Sequence, residues 1–521
     1  MRLFIFILLI LLINHSGYGQ IHQKARFDLI QKFSDPDPVV FTLEKEGLIV
    51  IQDSREFEGR KRFRKYTQLD TALNILWAAQ EAIPEEEELV GYEYTENMFR
   101  ILYTHRQHEH LRGSIISLNL KTQSVINDPF NVQLGMKLTH FTIAGNSSII
   151  GGQVGLQPMI ALFDHETKRS RIVPGFFLSE SELIDVRANK NQTFSILQLQ
   201  KKGKEKTIVY RAFDPQGNML VEDRFILEQD MIIQSALSST LLHGEVMVAG
   251  IYTYGNARLS AGIFSVILNP MGEKKITYTD FPMLNHFLDY LPDKRAEKII
   301  RKATQRRASK KVPEFRIAAS LLRLDEHPFG FLVFGETFQI PGNTQNSMMN
   351  MDPAFYRPGL SGFPYGVAAT PWRYGYDPFG PSARMITEVR MTNCFAVAFD
   401  LKGRYLWDES VALDQISMPS DIQVCDYIPK PSSVEFLFPS EKGLGYSVKS
   451  EKEDAGKSAI VQAMVPGEGQ TLLYETNLEH TVRKWYDQYA FVFGTQTLRG
   501  SGVQEEDQKR RVFFINKIKV D

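Results

Sequence analysis

Short β-type runs, each closed by an aromatic or aliphatic residue and an Asx-headed turn, recur along the 521-residue chain at intervals of blade size. They predict an all-β fold, a β-propeller of eight blades or, alternatively, seven. Two observations support the turns: apolar strands ending in Gly keep the same phase, and the final run stops one strand short of a blade. The repeat extends almost end to end, so residues 20–521 are read as one propeller domain.

The clearest turns are Phe213-Asp214-Pro215-Gln216-Gly217, Leu268-Asn269-Pro270-Met271-Gly272 and Phe399-Asp400-Leu401-Lys402-Gly403. Each has Asx at position i and Gly at i+3, which is type I turn chemistry. Weaker copies at Asp70, Asn119 and Asp164 lose the Gly and keep the phase, and Pro466-Gly467 stands in the seventh place. From Asp70 through Asn119, Asp164 and Asp214 to Asn269 the turns are about 50 residues apart, the length of a four-stranded blade. The next, at Asp400, comes after about 130 residues and requires insertions.

The Gly-ended strands are SIIGG (Gly151, Gly152), VMVAG (Gly250), FLVFG (Gly335) and FVFG (Gly494). A Gly there suits a crowded inner strand. After Gly494 one more strand runs from Arg511 to Val520, and residues from about His22 to Phe33 are placed to supply the missing outer strand and close the ring.

At the N-terminus Arg2 precedes an apolar run, Leu3 to Ile13, and a small polar stretch ending at Gly19. The run is shorter than the roughly 20 residues that span a bilayer, and the pattern is that of a secretory signal peptide over residues 1–19. The expectation is an exported protein, periplasmic or associated with the outer membrane or cell surface, with no transmembrane segment in the mature chain. A net charge of −1 argues against a dedicated nucleic-acid partner. Cys394 and Cys425, the only cysteines, lie in neighbouring strand-like runs, and either a disulfide or two buried thiols fits them.

Two insertions interrupt the repeat. From Pro282 to Pro313 the apolar residues Met283, Leu284, Phe287, Leu288 and Leu291, then Ile299, Ile300 and Ala303, take helical spacing and predict two short helices. This insertion carries Lys294, Arg295, Lys298, Arg301, Lys302, Arg306 and Arg307, the most asymmetric charge in the chain, which reads either as a solvated face or as a docking surface for an acidic partner or anionic headgroups. From Pro341 to Arg384 a Gly/Pro-rich stretch holds Tyr356, Phe363, Tyr365, Trp372, Tyr374 and Tyr376. So many rings predict a loop folded over its own propeller, over a protein partner or, as a third option, over a glycan.

Catalytic motifs are not found: there is no Gly-x-Ser-x-Gly, no His-Glu-x-x-His and no phosphate-binding Gly-rich loop. His105, His108 and His110 are the weak metal-ligand candidates, in a hairpin that an exposed polar tip explains equally well. The strand-turn-strand units LDTALNILW (69–77) and FDLKGRYLW (399–407) resemble blades of quinoprotein-like propellers, a class that includes outer-membrane assembly scaffolds. No quinone or calcium ligand set accompanies them, so the resemblance implies a binding propeller without a cofactor. The expectation from sequence is an exported, non-catalytic, protein-binding accessory subunit of a bacterial envelope or outer-membrane complex. The alternative is a carbohydrate-active or glycan-binding propeller working at the ring's central mouth.

Overall fold

The computed structural model describes residues 21–520 except 96, 106–109, 156, 176–180, 204, 229, 242–244, 256–258, 270–273, 340–388, 414–415, 419–422, 432, 451–452, 462–465, 467–468, 477–479 and 501–508. Eight antiparallel sheets form a ring, so the chain is an eight-bladed β-propeller. The inner strands, first in each blade, touch one another round the axis: Glu87–Thr95, Lys137–Ala144, Ser181–Ala188, Met231–Ser238 and Ala318–His327 belong to blades two to six. Val39–Thr42 opens blade one, Asp426–Lys430 blade seven and Thr481–Lys484 blade eight. Eight apolar clusters fill the spaces within and between blades, among them Tyr66, Phe41, Phe99 and Tyr103 between the first two.

The Asx-headed turns keep phase because each joins the third strand of a blade to its outer strand. At Asp214 and Asp400 the aspartate carbonyl accepts the Gly217 or Gly403 amide at 2.9 Å, and the carboxylate accepts the amide of the residue after the glycine at 2.8 Å. The glycines take φ of 75° and 71°, which an L side chain adopts only with strain. In the weaker copy at Asp70, Leu73 accepts φ 67° because its buried side chain is packed against blade eight. Pro466 does not belong to this series: it lies between the strands Glu453–Val461 and Gln470–Glu475, in the crossing from blade seven to blade eight.

The Gly-ended strands are second strands, one place outward from expectation. Five inner strands carry a bulge, at Val90, Thr139, Ile184, Gln234 and Leu322. Beside three of these the second strand presents Gly151, Gly250 or Gly335. A Cβ on Gly250 or Gly335 would sit 2.5 Å from the Ser235 or Ser320 carbonyl. Crowding was the right reason, but first and second strands are both buried on both faces, so their apolar content does not distinguish them.

Closure follows the sequence expectation. Ile21–Gln31 pairs antiparallel with Arg510–Val520 as the outer strand of the last blade, and ten facing pairs join the two ends of the ring. The crossing from blade five to blade six holds one α-helix, α1 (Asp293–Ala308), where two were expected. Phe281–Met283 is a single 3-10 turn, and Phe281, Leu284, Phe287 and Leu288 are buried against Phe395. Prolines at 282 and 292 leave too short a run between them for a stable helix, and packing sets its path. Cys394 and Cys425 are free thiols, both fully buried.

Candidate functional site

Inner strands run from one face of the ring to the other, and polar residues along them and in the turns that follow meet around the axis. Glu93 of blade two accepts the Thr142 hydroxyl of blade three at 2.9 Å and faces the Arg187 guanidinium of blade four. Arg187 donates to the Ser238 carbonyl of blade five, and Asp185 takes the Ser238 amide and hydroxyl at 3.0 and 2.8 Å. Lys190, in the turn after blade four's inner strand, reaches Glu326 of blade six at 2.8 Å, skipping blade five. Thr240 of blade five donates to the same carboxylate.

The other half of the collar is tighter. Arg323 binds Asp426 at 2.8 Å and Asp325 at 2.7 Å, and its guanidinium lies 4.2 Å from the Tyr427 ring centroid. Tyr427 donates to Asp325 at 2.6 Å, and Asp426 accepts the Lys484 amide of blade eight at 2.8 Å. The Lys484 ammonium is itself close to Asp325, Asp426 and, in blade one, Glu44. Acids and bases thus lie together round the axis, several of them paired across blades one or two places apart.

Environment separates their proton affinities. Burial, only partly opposed by the Thr142 hydrogen bond, pushes the Glu93 carboxyl up to about 7, although the residue keeps some exposed surface. For Glu326 burial works in the same direction, but hydrogen bonds from Lys190 and Thr240 prevail and hold it below the ordinary carboxylate value. Asp325 is likewise pushed up by burial and brought below its usual value by Arg323. Two carboxylates of one collar are held ionised while a third titrates near neutrality, a division suited to acid–base work.

A second constellation has the connectivity of a nucleophilic triad. Ser148 Oγ lies 2.8 Å from His165 Nε2, and His165 Nδ1 lies 2.7 Å from Asp128 Oδ2. Ser148 is fully buried, so its Oγ is not presented at the surface. Burial, with Arg100 nearby, pushes the imidazole down to about 4, so it is neutral. Ser148 belongs to blade three and Asp128 to the outer strand of blade two, so the three residues clasp adjacent blades.

A third buried acid anchors the chain where it enters blade seven. Glu336, 2% exposed, accepts the Val424 and Cys425 amides at 2.9 and 2.5 Å, and burial pushes its carboxyl up to about 7. The folded state therefore holds this proton more tightly than the unfolded chain, whose carboxyl titrates near 4.3. Its contribution to stability is complete below about pH 4.3 and is lost as pH rises through about 7. Glu336→Gln, which keeps the acceptor oxygen, is expected to match the parent near pH 4.5 and to exceed it by up to about 3 kcal/mol near pH 8. Urea unfolding of both proteins at the two pH values measures this; equal midpoints at pH 8 would refute it.

Of the residues singled out from sequence, Lys294, Arg295, Lys298, Arg301, Lys302 and Arg307 lie exposed on α1, and Arg306 binds Glu314 at 2.6 Å. Because α1 is in the crossing into blade six, it stands on the face where inner strands begin, opposite the charged collar. Tyr356, Phe363, Tyr365, Trp372, Tyr374 and Tyr376 lie outside the described residues. His105 is buried at the end of a second strand with Nε2 3.7 Å from Glu87, His110 is exposed, and His108 lies outside the described residues. Among the described residues no group of His, Cys, Asp and Glu is arranged to hold a metal ion. No helix among them is long and apolar enough to cross a membrane.

No protein-family model matches the chain, and no curated protein matches it. Among solved structures it is similar to the acylaminoacyl peptidase of Pyrococcus horikoshii, with 9% identity and a TM-score of 0.36 over 79% of this chain and 50% of that one. It is similar to the polysaccharide lyase Uly1, with 8% identity and a TM-score of 0.38 over 94% and 100% of the two chains. A third is the β-propeller domain of the Trilobed protease from Pyrococcus furiosus, with 8% identity and a TM-score of 0.36 over 81% and 98%. The chain spans about half the length of the acylaminoacyl peptidases it matches. Likeness at this level concerns the fold alone.

The expected non-catalytic, protein-binding accessory role is corrected here. The solved structures to which the chain is similar include peptidases and lyases, together with a eukaryotic initiation factor.

Proposed function

We propose that the propeller is a catalyst whose working site is the axial collar, with Glu93 as the group that exchanges a proton with a bound polar substrate. One observation carries this reading: an axial residue that keeps some exposed surface has its carboxyl facing Arg187 and pushed up to about 7 by burial. At neutral pH such a group is populated in both protonation states, the condition under which general acid–base catalysis is most efficient. Thr142 fixes the orientation of the carboxyl through its hydroxyl, and Arg187, held by the Ser238 carbonyl, supplies fixed positive charge opposite it. Asp325 and Glu326, both ionised, keep the neighbouring cations in place.

The test has a substrate-free arm and an activity arm. A water-soluble carbodiimide with glycinamide, read by peptide mass spectrometry, should modify Glu93 with a yield that falls through about pH 7 while Glu336 stays unmodified. Against a panel of peptide anilides, aryl esters and acidic polysaccharides, Glu93→Gln should lower any turnover about 10²- to 10⁴-fold. Labelling of Glu93 no greater than of Glu336, or turnover indifferent to Glu93→Gln, overturns the assignment.

A further inference from the structure

Segment 294–311 carries nine Lys or Arg and one acid, Glu297, a net of +8 on a chain whose total is −1. α1 buries one side: Ala303 is buried, and Ala296 and Ile299 pack against Phe281, Leu284 and Ile317. At 3.6 residues per turn, Lys294, Arg295, Lys298, Arg301 and Lys302 fall within an arc of about 120° on the opposite side. All five are exposed.

This arrangement costs the helix stability. Lys294, Lys298 and Lys302 succeed one another at i,i+4, where like charges repel. Lys294 and Arg295 also occupy the first turn, where the helix dipole disfavours cations, and Asp293 is the only acid there. A face serving solubility alone would alternate Glu with Lys and gain from the same positions. We infer that the outward stripe of α1 is a docking surface for an anionic lipid bilayer, engaged through the field of its headgroups.

The shape of the stripe favours that occupant over a bound polymer. It is the convex ridge of a helix about 24 Å long, by a rise of 1.5 Å for each of its 16 residues. A planar field of headgroups meets such a ridge without a groove, and mobile Lys and Arg heads need no fixed register to be attracted to it. Single-stranded nucleic acid is gripped by aromatic rings interleaved with cations, and α1 has none. The apolar side of α1 is consumed by the propeller, so attachment is electrostatic, shallow and sensitive to salt.

Co-sedimentation of the full chain with vesicles of phosphatidylcholine, with and without phosphatidylglycerol, tests this at about 0.1 M and about 0.5 M salt. Binding is expected only to the anionic vesicles and only at the lower salt. The combined variant Lys294→Gln, Lys298→Gln, Arg301→Gln and Lys302→Gln should bind about tenfold more weakly, with its thermal transition no lower than the parent's. A control that removes four exposed cations elsewhere, Lys121→Gln, Lys137→Gln, Arg169→Gln and Arg171→Gln, should bind like the parent. Failure to bind anionic vesicles, equal loss in both variants, or displacement from vesicles by a duplex oligonucleotide at lower total phosphate would each overturn the inference.

Discussion

A chain that begins at Ser34 is expected not to close its ring. The change removes Ile21–Gln31, and with it ten facing pairs along Arg510–Val520. Ala25, Phe27 and Leu29 would no longer cover Phe491, Phe493 and Phe513, and the Arg26 bond to Gln496 at 2.8 Å would be lost. What remains is an eleven-residue strand with an unpaired edge, a template for pairing with other copies. The expected result is aggregation or a broad, non-cooperative unfolding transition, measured by gel filtration and circular dichroism. A synthetic peptide of residues 21–33 added in trans should restore a monomer, since strand addition to an open edge requires only backbone pairing and side-chain fit. A truncated chain that is monomeric and unfolds like the parent would show that blade eight closes without its outer strand.

Arg323→Ala is expected to cost about 3–5 kcal/mol, the range for removing one partner of a buried ion pair. Arg323 is 3% exposed and Asp426 is fully buried, so alanine leaves that carboxylate in the wall with its 2.8 Å counter-charge gone. The variant also loses the bond to Asp325 and the stacking on Tyr427. Lysine cannot reproduce two forked contacts and should recover only part of the loss. Urea unfolding at neutral pH reads the change, and a loss below about 1 kcal/mol would mean that water or another cation takes the place of the guanidinium.

The blade repeat was legible because one local demand recurs once per blade. The turn into the outer strand needs an Asx carboxylate or amide and a residue tolerant of positive φ, and Asp214 with Gly217 or Asp400 with Gly403 answer it within five residues. The closing strand was legible because the run near His22 to Phe33 has the length and phase of the outer strand that pairs with Arg510–Val520. The axial collar was not legible. Glu93, Arg187, Glu326 and Lys484 come from four blades, and none differs in local context from the many charged residues of the surface. Only the ring places them together. The stretch before α1 misled in another way: its helical spacing reflects which side chains reach Phe395, not the hydrogen bonding of the backbone.

Pairing Ile21–Gln31 with Arg510–Val520 also sets an order of events during synthesis. The first of these strands leaves the ribosome roughly 490 residues before its partner, which at about 5–20 residues per second is a wait of about 25 to 100 seconds. Seven blades are assembled from neighbouring segments and can form as they emerge. The eighth cannot. Until Arg510–Val520 has emerged the earliest strand has no edge to pair with, and completion of the eighth blade, rather than of any other, decides when the molecule becomes one cooperative unit.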